Sequence, residues 1–204
     1  MHAPLDRILT LFAMSSPWEL LAAVLALAYV ILAVRKSMWC WLAAVISSGI
    51  YVALMAGSRL YMEAALNVFF IAMAVYGYWE WQRGREDSGE VAVISWRGGE
   101  HLLALAVIAV LSVANGWLLV RYTDAARPYL DSLVTWGSVV TTWMVARRIV
   151  ENWLYWIAID SVAAVLYFQQ ERTPTGILFL IYVAIAVRGY RVWLRQTRKH
   201  PLPV

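Results

Sequence analysis

The sequence predicts an all-α membrane protein of seven transmembrane helices, built as two parallel three-helix units joined by one connecting helix. Three observations predict it. The chain has 204 residues, 62% of them hydrophobic, where soluble domains are closer to half apolar. Its apolar residues fall into seven runs of about 20 residues each, the length that crosses a hydrocarbon core of about 30 Å. Finally, the chain repeats itself at an ungapped offset of 112 residues.

At that offset Arg35 and Lys36 fall on Arg147 and Arg148, Trp41 on Trp153, and Glu19 on Asp131. Gly77, Tyr78, Trp81 and Arg83 fall on Gly189, Tyr190, Trp193 and Arg195. Apolar matches mean little in a chain this rich in Leu, Ala and Val, but tryptophan, glycine and arginine matches carry weight. The competing reading is shared belt chemistry, because basic residues and tryptophan mark cytoplasmic span ends anyway. The offset covers an even number of crossings, so the units run in the same direction, with the fourth span as the inverting connector. Parallel repeats about an axis along the membrane normal are a transporter architecture, with the substrate between the repeats near the midplane.

Taken in order, residues 1–17 hold Asp6 and Pro4 and lack a basic start, so they read as an interfacial segment rather than a cleaved signal peptide. Spans follow at 18–34, 38–56 and 61–81, which form the first unit over residues 18–81. The polar stretch QRGREDSGEVAVISWRGGE, residues 82–100, is a loop. The connecting span covers 101–120. The second unit occupies 129–194, with spans at 129–146, 149–168 and 175–194, and residues 195–204 form a tail. On this layout eleven Lys and Arg lie on one side and five on the other, with Arg188 inside a span. The excess of basic residues places the loop, the tail and the C-terminus in the cytoplasm and the N-terminus outside.

Several functional classes are excluded by what the sequence lacks. There is no P-loop, GxGxxG, CxxC pair or HExxH, and the three histidines lie at the termini or a span edge. An ATP-driven pump and a zinc enzyme would both need such parts, so no enzyme activity, cofactor or metal is expected. The net charge of +4 comes from loop arginines rather than a nucleic-acid patch. A receptor or scaffold would need an output element larger than the 82–100 loop or the tail. The expected partners are a small solute and membrane lipid, and the sequence leaves homo-oligomer formation open.

The stretch ENWLYWIAIDSVAAVLYF, residues 151–168, holds the densest chemistry. As a helix at about 100° per residue it gathers Asn152, Trp153, Trp156, Asp160, Ala163 and Tyr167 within about 100° of arc. Asp160 lies about 16 Å along the span, near mid-membrane, where a charge costs at least about 2.5–3.5 kcal/mol unless it is paired or faces a wet cavity. Two roles stand open for it: a structural one, paired with Arg188 or left uncharged, and a counter-ion to a cationic substrate. The third span adds Glu63, Asn67, Phe70, Ala74 and Trp81 on one side. The fifth adds Asp131, Thr135, Ser138 and Thr142, and the second Ser47, Ser48 and Tyr51. For Ser47, Ser48 and Thr142, helix packing is the simpler role. Of the tryptophans, Trp18, Trp39, Trp41, Trp79, Trp81, Trp117, Trp143 and Trp193 read as interfacial belt anchors. Trp136, Trp153 and Trp156 lie deeper and read as site residues, because indole faces beside a carboxylate suit a flat cationic ring.

The run TTWMVARRIVENWLYWIAIDSVAAVLY resembles the sixth-span region of the PnuC family of vitamin transporters, with its basic pair and ENWxxW-like motif. LNVFFIAMAVYGYWEWQRG, residues 66–84, resembles that family's third-span pattern, and YLDSL its fifth-span entry. The resemblance covers almost the whole chain. It implies a full-length relative of the SWEET sugar-transporter fold. It also implies facilitated uptake of a vitamin across the bacterial inner membrane, most often nicotinamide riboside, with trapping by cytoplasmic phosphorylation and no coupling ion. Other branches carry thiamine. The resemblance points to Asn152, Trp153, Trp156, Asn67, Phe70, Asp131 and Ser132 as substrate contacts. The chain departs from the pattern at Asp160 and Ala74, where asparagine is usual, and at Arg188.

Overall fold

Each apolar run folds as one α-helix. The computed structural model describes residues 16–59, 61–86, 91–124, 127–169 and 173–197. The interfacial segment expected over residues 1–17 is described only at 16 and 17, and the tail expected over 195–204 only at 195–197, which are helical. The helices are α1 (Pro17–Val34), α2 (Trp39–Gly57), α3 (Tyr61–Glu86), α4 (Gly98–Tyr122), α5 (Pro128–Ala146), α6 (Asn152–Gln169) and α7 (Thr173–Thr197). α1 starts at a capping box: the Glu19 N–H donates to Ser16 Oγ and the Ser16 N–H to Glu19 Oε2, both at 3.1 Å, ahead of Pro17. At α4 the Arg97 N–H donates to Glu100 Oε2 at 2.6 Å. α3 continues to Glu86 and α4 begins at Gly98, so the loop expected over 82–100 is shorter than its polarity suggests. Gln82, Arg83 and Arg85 are good helix formers that carry α3 past the apolar core.

Four helices, α1, α2, α4 and α7, combine the length and the hydropathy of a membrane span. α3, α5 and α6 carry polar and charged residues along their length. α1 packs on α2, α2 on α3, α3 on α5, α5 on α6, α6 on α7, and α7 back on α1, which closes a ring of six. α4 stands outside this ring against α5, with Leu102, Leu103 and Val110 exposed as a lipid-facing surface.

The repeat is physical. Moving α1, α2 and α3 by 112 residues gives 129–146, 151–169 and 173–198, each end within one residue of α5, α6 or α7. The first turns match in detail. Lys36 and Arg148 both adopt left-handed backbone, with φ of 53° and 63°. The Ser37 N–H donates to the Leu32 carbonyl and the Ile149 N–H to the Met144 carbonyl, both at 3.0 Å, which closes each helix end in the same way. An approximate twofold axis therefore relates the units, and the α3–α5 and α7–α1 junctions are equivalent.

At the axis lie four indoles. Trp41, Trp81, Trp153 and Trp193 are between 0% and 2% exposed. They form a chain: Trp41 to Trp81 at 5.1 Å, Trp81 to Trp193 at 5.9 Å, and Trp193 to Trp153 at 5.4 Å, the outer pairs edge-to-face. Trp81 Nε1 donates to the Val145 carbonyl at 3.1 Å and Trp193 Nε1 to the Val34 carbonyl at 3.2 Å. Each bond crosses from one unit to the other. Both acceptors lie in the last turn of a helix, where carbonyls lack an intrahelical donor. The belt role expected for Trp41, Trp81 and Trp193 is thus overturned: their indoles face protein at the junctions. Trp18, Trp39, Trp79, Trp117 and Trp143 are exposed, as interfacial anchors would be.

The 91–97 segment lies between α3 and α4, outside both three-helix units. Lys36 Nζ donates to the Val91 carbonyl at 2.7 Å. Ile94 pairs with the 148–150 turn, its N–H on the Arg148 carbonyl at 3.0 Å and its carbonyl taking the Val150 N–H at 2.8 Å. The Ser95 hydroxyl and the Trp96 N–H both donate to the Glu151 carboxylate. The segment thereby straps the α1–α2 corner to the α5–α6 corner, and buried Val91 and Val93 join the tryptophan cluster.

Gly77 and Gly189 allow the indoles to approach. A Cβ at Gly189 would stand 2.6 Å from the Trp153 ring, and one at Gly77 would overlap Trp41. Gly189→Ala should destabilise by about 1–3 kcal/mol through overpacking, lowering the melting midpoint by at least about 2 °C. Cys40, the single cysteine and fully buried, is expected to stay closed to thiol-reactive dyes until the protein unfolds. Its labelling on heating measures that midpoint, and an unchanged value would mean the indole has room to yield.

Candidate functional site

The six-helix ring encloses a cavity of about 450 Å³. Much of its wall comes in twofold pairs at the 112-residue spacing. At the floor Ala33 is matched by Val145, Trp41 by Trp153 and Ala74 by Ala186, and all six belong to the cluster around the four indoles. Higher up the pairs become unlike: Ala44 with Trp156, Ser48 with Asp160, Asn67 with Phe179, and Phe70 with Tyr182. The units share a floor of one chemistry and present different chemistry above it.

Six of the residues expected at a site meet on this one wall: Asn67, Phe70, Trp153, Trp156, Asp160 and Tyr167. Asp160 is 6% exposed. It is the one acidic side chain on the described wall, which has no basic one. No ion pair to it occurs among the described residues. The pairing with Arg188 does not form. Tyr182, Ala186 and Trp193 take the inward face of α7, and Arg188 falls outside it, exposed. Tyr167 stacks on Phe179 at 5.3 Å, nearly parallel, and Ser138 and Thr142 add hydroxyls from α5.

The other four expected residues stand elsewhere. Asn152 is buried at the start of α6, its Nδ2 donating to the Ile149 carbonyl at 2.5 Å, so it holds the α5–α6 corner. Ser132 is buried between α4 and α5: it donates to the Pro128 carbonyl at 2.7 Å and accepts from Asn115 Nδ2 at 2.9 Å. Asp131 is exposed in the first turn of α5, far from the tryptophan cluster, where a carboxylate complements the helix dipole. Trp136 is half-buried and off the wall, about 200° around α5 from Ser138.

The cavity also uses residues that helix-by-helix reasoning passed over: Tyr29, Trp41, Thr175, Phe179 and Tyr182. A signal for two of them was present. Phe179 and Tyr182 are the offset partners of Asn67 and Phe70. Ser47, Ser48 and Thr142, read as packing, all line the cavity, although Ser47 also donates to the Ala22 carbonyl at 2.8 Å. No three His, Cys, Asp or Glu side chains converge as metal ligands among the described residues. Chemically, the site is an aromatic box with hydroxyls, one amide and one uncompensated carboxylate. It suits a flat ring bearing positive charge or many hydroxyls.

Residues 16–195 match the family described as nicotinamide mononucleotide transporter. The riboflavin/roseoflavin transporter RibM of Streptomyces davaonensis is 28% identical across 91% of this chain and 88% of its own. The nicotinamide riboside transporter PnuC of Escherichia coli is 24% identical, covering 69% of this chain and 70% of its own. The crystal structure of the vitamin B3 transporter PnuC shares the fold, with a TM-score of 0.75 over 97% of this chain and 88% of that one at 22% identity. With a match that runs from the cap of α1 into the last turns of α7, the chain belongs to the PnuC, or nicotinamide mononucleotide transporter, family of membrane vitamin transporters.

Proposed function

We propose that the protein is a passive carrier of nicotinamide riboside across the bacterial inner membrane, with trapping by phosphorylation on the cytoplasmic side. One observation carries this reading: Asp160 lines an aromatic cavity that offers it no cation among the described residues. A pyridinium ring would stack on Trp156 with Trp153 beneath it, gaining up to about 2 kcal/mol of cation–π attraction when desolvated. Asp160 would balance its charge. Asn67, Ser48, Ser138 and Thr142, which line the cavity, would bond the amide and ribose hydroxyls. A volume of about 450 Å³ suits a small-molecule ligand.

Transport would proceed by rocking one three-helix unit against the other. Opening toward the tryptophan cluster requires the Trp81 and Trp193 cross-unit bonds to part and the 91–97 strap to yield. The ends of α1, α3, α5 and α7 that bear Arg35, Arg83, Arg85, Arg147, Arg148, Arg191 and Arg195 would face the cytoplasm. A fluorescent fusion that stays dark at the C-terminus and glows at the N-terminus would reverse that orientation.

A second reading is favoured by the likeness to a riboflavin transporter over nearly the whole chain. A neutral flavin would use the aromatic box but gain little from Asp160. Uptake of labelled nicotinamide riboside, thiamine and riboflavin into sealed liposomes separates the cases. The expected result is flux of nicotinamide riboside, with Asp160→Asn weakening its affinity tenfold or more, about 1.4 kcal/mol. Thiamine, also a cationic ring, is the rival that only direct flux can exclude. Riboflavin flux that Asp160→Asn leaves intact, with no flux of either cation, would transfer the site to the flavin. Trp156→Ala is expected to abolish binding while leaving the Cys40 labelling midpoint close to wild type.

A further inference from the structure

A second recess, of about 750 Å³, opens between α2 and α3 on the outside of the ring. Trp39, Leu42, Val75 and Tyr78 on its rim are exposed, so it faces lipid rather than the central cavity. Along α3 its wall is Val75, Tyr78, Gln82 and Arg85, spaced to share one helix face over about 15 Å. Along α2 the antiparallel wall is Val45, Leu42 and Trp39. The groove is therefore graded. It is aliphatic at one end, phenolic and amide in the middle, and cationic at the end where the loop arginines gather. Arg85 has no ion-pair partner among the described residues.

The repeat supplies an internal comparison. At the matched positions of the second unit, Val75, Tyr78, Leu42 and Val45 become Val187, Tyr190, Leu154 and Ile157. The apolar part is thus kept, as packing between paired helices requires. The polar end is not kept. Gln82 becomes Leu194, Arg85 becomes Thr197, and Trp39 becomes Glu151, whose carboxylate is engaged by Ser95 and Trp96. The second helix pair keeps Arg195 but folds with Leu194 and Thr197 at these two positions, so Gln82 and Arg85 answer to something other than packing.

We propose that this groove binds one anionic phospholipid. An acyl chain lies along Val75, Val45 and Leu42, the phosphate meets Arg85, and Gln82 and Trp39 sit at the level of the ester groups, where interfacial indoles and basic residues recognise such headgroups. Trp41 and Ala74 form its back wall and also line the central cavity. A lipid seated here therefore buttresses the floor of the transport path from outside. The inference stands apart from the identity of the carried vitamin.

Native mass spectrometry of the intact chain in mild detergent, with added dioleoyl phosphatidylglycerol or dioleoyl phosphatidylcholine, tests it. The expected result is one retained phosphatidylglycerol, held at least tenfold more tightly than phosphatidylcholine. Gln82→Leu with Arg85→Thr installs the second unit's own residues and should bring phosphatidylglycerol down to the phosphatidylcholine level. Val75→Trp should fill the groove and lower retention of both. Equal retention of the two lipids by the wild-type chain, or undiminished phosphatidylglycerol in the double variant, overturns the proposal. If the Cys40 labelling midpoint shows the double variant unfolded, Val75→Trp decides alone: unchanged phosphatidylglycerol retention would overturn it.

Discussion

The pair of indole hydrogen bonds that cross between the units is the constraint on which the rest of the structure depends. Without a hydrophobic drive between helices in lipid, association rests on close packing and on polar groups that find partners across the interface. Trp81 and Trp193 meet both needs at once. Each buries a large ring and places its one donor on a last-turn carbonyl of the opposite unit. Gly77 and Gly189 set how near the outer indoles can come. Every ring-closing contact and the floor of the cavity follow from where these four rings lie.

Symmetry and its breaking divide the labour. Where paired positions are alike, at Trp41 with Trp153 and Ala74 with Ala186, they build the floor. Where they differ, at Ala44 with Trp156 and Ser48 with Asp160, they create a one-sided site. An asymmetric solute needs such a site, because two identical walls would offer it the same contacts twice. The carboxylate stands on the side that also carries the second indole, so charge and stacking act on the same ring. The strap breaks symmetry in another sense. It ties Lys36 of one unit to the Arg148–Glu151 turn of the other across the axis. Opening at that end must therefore disengage a segment that belongs to neither repeat.

The candidate site was half legible from helical phase. Trp153, Trp156, Asp160 and Tyr167 lie on one face of α6, and Asn67 and Phe70 on one face of α3, and all line the cavity. Asn152 from helical phase, Ser132 from the family resemblance and Trp136 from its depth all stand off that wall. A residue can sit on a polar face yet be consumed by a corner or by a neighbouring helix, as Asn152 is by Ile149 and Ser132 by Asn115. The belt tryptophans show the same limit. Composition cannot distinguish an indole at a lipid interface from one on a symmetry axis when both stand near the end of a span.

The sequence by itself determined the class, the seven spans and the 112-residue repeat, because the length of an apolar run and the recurrence of rare residues are local properties of the chain. Tertiary structure alone decided which matched tryptophans meet at the axis and that Arg188 turns away from Asp160. It also decided that Phe179 and Tyr182 complete the wall opposite Asn67 and Phe70. Those outcomes depend on which helix faces are turned toward one another when the ring closes. That is set by the packing of six helices together and is written in no single one of them.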